Sequence, residues 1–114
     1  MDSILTSTKK IAGLGEDYDH FDPDIIMYIN SVFLVLKQIG VGPADGFFIT
    51  DESDIWEDFI PDKPVLREAV KSYMGNKTRL KFDPPTIASV LQALKETIQE
   101  EEWRLRLEGE TTTQ

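Results

Sequence analysis

The sequence predicts an all-α protein: a small bundle of four to five helices, with a long C-terminal helix and an irregular loop over residues 41–63 that carries a short extended piece. Three observations predict it. Apolar residues recur at three- and four-residue steps in three separate stretches, the spacing of one helix face. Proline and glycine punctuate those stretches where helices start and stop. The stretch Arg79-Leu80-Lys81-Phe82-Asp83-Pro84-Pro85-Thr86 separates a helical pattern ending at Phe82 from the longest helical pattern in the chain. Pro84 has no amide hydrogen and pushes Asp83 out of the helical region, while Pro85 suits an early helical position. Two helices therefore meet at a stiff corner.

Bulk composition bounds the function. A chain of 114 residues supports one domain with a modest core. Apolar residues make up 40% and charged residues 29%, an ordinary globular balance rather than a disordered one. The absence of cysteine excludes a disulfide framework, a thiolate metal site and a cysteine nucleophile. Met-Asp-Ser-Ile-Leu has no basic region followed by an apolar run, and the longest apolar run, Val32 to Leu36, is far short of a membrane span. A soluble protein made in a cytoplasm, with no membrane contact, is expected. The net charge is −9, opposite to the positive footprint that a DNA binder needs. An acidic surface serves solubility, and it also suits a protein that stays near nucleic acid without gripping it.

Taken in order, residues 3–12 predict a short helix, with Ser3 as its cap, Ile4, Leu5 and Ile11 near one face, and Gly13 as its stop. Residues 13–21 read as a linker with an acidic middle. His20, the only histidine, reads as a surface residue, since one imidazole among scattered carboxylates makes no metal site. The second helix has Asp22 as cap, Pro23 and Asp24 in its first turn and Gly40 as terminator. Its stripe of Ile25, Ile26, Ile29, Val32, Phe33, Leu36 and Ile39 is broad enough for a central helix, with Tyr28, Asn30, Lys37 and Gln38 facing outward or towards a neighbour.

Residues 40–46 are turn chemistry, and Phe47-Phe48-Ile49-Thr50 looks extended. Ser53 is placed to cap a single helical turn that buries Trp56 and Phe59. The acids Asp51, Glu52, Asp54, Glu57 and Asp58 invite a calcium reading, but from Asp51 the fifth and sixth positions are Ile55 and Trp56 and the twelfth is Asp62. The EF-hand pattern fails there, and a solvated acidic loop remains. The next helix starts at Pro64, with a stripe of Val65, Leu66, Ala69, Val70, Tyr73 and Met74 extended by Leu80 and Phe82. Gly75 inside it marks either a close crossing or a plain kink. Lys71, Lys77, Arg79 and Lys81 make this helix the basic part of an acidic protein, as a solvated face or as one side of a contact with an acidic neighbour. The last helix is expected over residues 86–107, roughly 33 Å long, with a seam of Ile87, Val90, Leu91, Leu94 and Ile98. Beyond it Trp103, Leu105 and Leu107 are too apolar for a solvated end, so this part either folds back or docks on a partner. Residues 108–114 read as a flexible polar tail, leaving 1–107 as the single domain.

Several segments together resemble a known family. These are Tyr18-Asp19-His20-Phe21-Asp22, Gln38-Ile39-Gly40-Val41-Gly42-Pro43, Trp56-Glu57-Asp58-Phe59, Glu68-Ala69-Val70-Lys71-Ser72-Tyr73, Leu80-Lys81-Phe82-Asp83-Pro84-Pro85 and Glu102-Trp103-Arg104-Leu105. Their order and spacing resemble the head–tail connector (adaptor, or head-completion) proteins of long-tailed bacteriophages and prophages, over about residues 1–107. The Gly75-Asn76 pair departs from the plainer helix formers expected there.

The resemblance implies a structural, non-enzymatic virion protein with no cofactor or metal. Its subunits would form a homo-oligomeric ring, a dodecamer in the virion, beneath the portal protein at the neck. That ring would extend the DNA channel and receive the next head-completion, stopper or tail protein. Carried onto this chain, Trp103, Arg104, Leu105, Arg106 and Leu107 become the candidate portal-docking arm. Asp51, Glu52, Asp54, Glu57 and Asp58 become the loop facing the channel or the next ring, and Lys71, Lys77, Arg79 and Lys81 the subunit contacts. A ring of about twelve copies would carry a charge on the order of −100, a wall past which DNA slides without being held. The rival reading is an acidic DNA mimic that blocks a nucleic-acid-binding partner. An enzyme is not expected, because no nucleophile–base pair, metal cluster or phosphate-cradling loop stands out.

Overall fold

Ser3 opens the first helix as its chemistry requires: its Oγ accepts the backbone N–H of Thr6 at 3.2 Å. A computed structural model of the protein describes residues 2–15 and 19–112. The acidic middle of the 13–21 linker, with Tyr18 of the family-like segment, lies outside the described residues, as do positions 113 and 114. The described residues form α1 (Ile4–Ile11), a short 3-10 turn (Asp19–Phe21), α2 (Asp22–Gln38), α3 (Trp56–Phe59), α4 (Pro64–Phe82) and α5 (Ala88–Thr112). No strand occurs among them, and a lone antiparallel bridge joins Ser3 to Ile55.

α2 is the central helix that its apolar stripe predicts. Ile25, Ile29, Val32, Phe33 and Leu36 are buried, with Ile26 and Ile39 packed at the margin. Gly40, at φ +88°, takes the left-handed conformation that ends the helix. Asp22 is not its cap. The cap position is Phe21, and the Asp22 carboxylate in the first turn instead accepts the Nζ of Lys9 at 2.8 Å, tying α1 to α2.

The 41–63 loop is held by side chains rather than by strand pairing. The neighbour that Asn30 faces is this loop: its Nδ2 donates to the carbonyl of Ile49 at 3.0 Å and its Oδ1 accepts the Ile49 N–H at 2.8 Å. One amide side chain thus satisfies both backbone groups of a buried residue, as a strand would. Phe47, Phe33 and Phe59 cluster with ring centroids 4.8–5.4 Å apart, and Trp56 closes the cluster. Trp56 donates its Nε1–H to Ser7 Oγ at 2.7 Å, and its backbone N–H donates to Asp2 at 3.1 Å. Ser53 does not cap α3, whose cap residue is Ile55. The N–H and hydroxyl of Ser53 go to Asp51, a tight turn within the loop.

α4 is packed by α1, α2, α3 and α5. Its buried face is Val70, Tyr73, Met74, Gly75 and Thr78. The buried stripe begins later than the spacing predicts: Val65 is 84% exposed and Ala69 is exposed, because none of the described residues covers that side at the start of α4. Gly75 marks a close crossing. A Cβ there would lie 2.2 Å from Ile11 Cγ2 and 2.6 Å from its Cβ, so α1 lies on α4 at the glycine.

The double-proline corner separates α4 from α5, but Pro85 is not in the helix. α5 begins at Ala88, and the N–H of Leu91 donates to the carbonyl of Ile87. The helix also runs past Leu107 to Thr112, further than the sequence reading ended it. The reason is at Gly109, where a Cβ would meet the Ile39 carbonyl oxygen at 1.8 Å. The last turns of α5 thus lie directly on the end of α2.

Gly75→Ala tests the crossing. Alanine gains about 1 kcal/mol of helix propensity, yet forcing a methyl into a packed contact costs about 1–3 kcal/mol. We expect a lower urea midpoint for Gly75→Ala, restored when Ile11→Ala is added. A midpoint above wild type for the single variant would show that α1 and α4 are not in contact at Gly75.

Candidate functional site

The C-terminal half of α5 has two unlike sides, and the candidate docking residues divide between them. Leu105 is buried, at 3% exposure, while Trp103 is 60% and Leu107 43% exposed. Trp103 and Leu107 are one helical turn apart and share the outward face. Arg104 and Arg106 reach back along the helix to Glu100 at 2.7 Å and Glu102 at 3.8 Å. The segment therefore does not project as an arm. It folds back on the body and presents one apolar, arginine-flanked face to the outside.

The inner side is stitched to α4 by the glutamates where the apolar seam thins. Glu101 accepts hydrogen bonds from Ser72 Oγ at 2.7 Å and Asn76 Nδ2 at 2.9 Å. Glu102 accepts the hydroxyl of buried Tyr73 at 2.8 Å. Burial, then the hydrogen bond to Glu102 and its charge, push the Tyr73 phenol well above its ordinary value of 10.0. Periodicity could not find these partners, because polar residues on a helix give no sign of what they face. Gly109 was the one legible hint, a residue with no business in an exposed helix end unless something lies against it.

Beside this stitch an open groove of about 610 Å³ separates the start of α4 from the end of α5. Leu66 and Leu105 line it with Val65, and Lys63, Arg104 and Glu108 stand at its edges. Leu105 is thus a lining residue of an open groove as well as a core residue.

The other candidates are scattered. In the acidic loop, Asp54 accepts the N–H of Thr50 at 2.7 Å and of Asp51 at 3.3 Å. Asp51 binds Ser53, whose hydroxyl and N–H hold its carboxyl below the ordinary range. These two acids shape the turn, Glu57 is half-buried, and Glu52 and Asp58 are exposed. On α4, Lys71 is engaged inside its own chain by Asp2, with Glu68 at 3.6 Å, and these partners hold its ammonium above the ordinary range. Lys77 lies over the Tyr73 ring at 5.8 Å, leaving Arg79 and Lys81 as cations with no ion pair among the described residues. Among the described residues no three histidine or acidic side chains gather as metal ligands, and no helix is long and apolar enough to cross a membrane.

A family model described as phage connector protein matches residues 4–112. The chain belongs to the phage connector protein family. No curated protein and no solved structure matches it. Membership points to a structural head–tail connector role at the virion neck, one that involves portal and tail proteins, rather than to an enzyme. In the connector, then, the two-sided α5 is a core element and a presented surface at once.

Two outcomes check this geometry. A raised folded-state pKa means that stability from the neutral Tyr73 is complete below pH 10 and is lost as pH rises beyond it. Lys71 acts with the same sign. Tyr73→Phe should flatten, without abolishing, the fall of the urea midpoint between pH 9 and 11, and cost about 1–2 kcal/mol at pH 7 by removing a partner of Glu102. An unchanged alkaline slope would rule the phenol out as a contributor. Gly109→Leu should lift the last turns of α5, read as faster amide exchange over residues 105–112 with the exchange of α1 unaltered.

Proposed function

We propose that the connector assembles as a ring beneath the portal, extends the DNA channel and offers its far side to the next neck or tail protein. It is a structural adaptor with no chemical step. The observation that carries this reading is the family match over 4–112, nearly the whole chain. Supporting it is the pairing of that membership with an exposed Trp103 and Leu107 on a helix anchored by its other side. A large aromatic held on a rigid helix is the kind of residue that anchors an interface.

In this reading Trp103, Arg104, Arg106 and Leu107, with the groove floored by Leu105, receive the portal. The exposed Glu52 and Asp58 face the channel or the next ring. A charge of −9 per copy, repeated around a ring, repels DNA phosphates and gives them nothing to grip. The 1–107 region acts as one domain, and its α5 extension belongs with it. The DNA-mimic reading has no comparable support.

Phage that lack the connector should accumulate filled or leaking heads that fail to join tails, and electron microscopy of portal-bearing heads with the purified connector should show an added ring. Trp103→Ala with Leu107→Ala should weaken that recruitment by about a hundredfold, as loss of interface anchors worth a few kcal/mol implies. Both positions are exposed, so circular dichroism should stay as in wild type. Tailed, infectious particles formed without the connector would sink the reading.

A further inference from the structure

Phe48 is held facing outward. Its neighbours point in: Phe47 packs on Phe33 and Phe59, and Ile49 is buried with both backbone groups clasped by Asn30. Alternation along extended backbone then turns Phe48 out, and it is 68% exposed. Freedom of the loop does not explain this exposure, because the residues on either side are fastened to the core. In sequence the stretch around it is acidic, with seven carboxylates and no lysine or arginine between residues 38 and 62, while the Lys37 side chain of α2 lies against Gly46.

A second apolar surface follows the basic end of α4 in the chain. Ile87 is 64% and Val90 42% exposed at the start of α5, although the sequence placed both in the buried seam. They follow directly on the last turns of α4, where Arg79 and Lys81 stand without ion pairs among the described residues. Residues 69–82 hold four cations and no acid, and Asp83 is the one carboxylate of the corner. The two surfaces belong to different elements. The loop is fastened to α1 and α2, whereas the corner joins α4 to α5.

We propose that these surfaces join neighbouring copies of the connector: Phe48, with the exposed Asp45 and Asp51 on either side of it in the chain, seats on one copy against Ile87, Val90 and the cations at the end of α4 of the next. The proposal rests on the ring reading and says which surfaces close it. Apolar anchors set within opposite charges give both affinity and register. Because each copy contributes one surface of each kind, the contact is heterologous and leaves both kinds unfilled until a ring closes. This also explains why an acidic chain keeps its unpaired cations beside an apolar corner.

The absence of cysteine makes a direct test simple. Phe48→Cys and Val90→Cys are made singly and together, and joined with a short bis-maleimide, since a disulfide needs Cα atoms within about 7 Å. Mixed single variants should give a covalent dimer that neither gives alone, and the double variant should give a ladder, in purified protein and in particles. Phe48→Ser should lower self-association about thirtyfold, the loss of one aromatic anchor, with an unchanged circular dichroism spectrum. Added salt should weaken it further. A dimer formed as readily by Phe48→Cys alone overturns the pairing, and so does a mixture and a double variant that yield only monomer. Particles that join head and tail normally without any ladder overturn this pairing and leave the connector reading standing. If the connector proves dispensable for joining, the mixed crosslink on purified protein still decides the pairing.

Discussion

A Cβ on residue 75 would sit inside the side chain of Ile11, so α1 can lie on α4 only because that position is glycine. Much else follows from this approach. With α1 pressed on α4, Ser7 reaches the indole of Trp56, and the backbone of Ile4 reaches Asp54. Those bonds seat α3 and the end of the loop against the bundle. α4 becomes a wall shared by four helices, and its remaining polar side, Ser72, Tyr73 and Asn76, is left to hold α5.

The attachment of α5 explains how one helix serves the core and the outside. An apolar seam around the whole helix would bury it and leave nothing to present. Here Leu94, Ile98 and Leu105 hold the inner side, and glutamates supply the rest through hydrogen bonds to α4. Charged acceptors with two or three donors are among the stronger hydrogen-bonded arrangements in a partly dry interface. At its far end Gly109 removes the side chain that would keep the backbone of α5 off the end of α2. The outward side is thereby free to carry Trp103 and Leu107 at little risk to folding.

Charge is segregated in two stretches: residues 38–62 hold seven carboxylates and no cation, and residues 69–82 hold four cations and no acid, whereas α5 carries both signs. Among the described residues Lys71 and Lys9 pair with Asp2 and Asp22, and Arg67 donates to the carbonyl of Ile60 at the end of α3. Such a distribution leaves a local positive stretch on a chain that is acidic in sum.

By itself the sequence determined the elements and most of their faces. The stripe of α2, the Ser3 cap, Pro64 at the start of α4 and an irregular 41–63 were all legible, because each depends on local spacing or on one residue's backbone chemistry. That Trp103 and Leu107 are apolar residues without an obvious place in the core was legible too, and both stand exposed. Tertiary structure alone decided the rest. Helical spacing says which residues share a face, not whether another element arrives to cover it, so Val65, Ile87 and Val90 stand exposed where the pattern put them inside. It cannot pair Asn30 with Ile49, nineteen positions on, or Glu102 with Tyr73, since a polar side chain's partner is set by three-dimensional approach. Gly75 and Gly109 were legible as hints, but only the tertiary structure shows that Ile11 lies against the one and the end of α2 against the other, because an absent side chain shows its purpose only when its neighbour is in place.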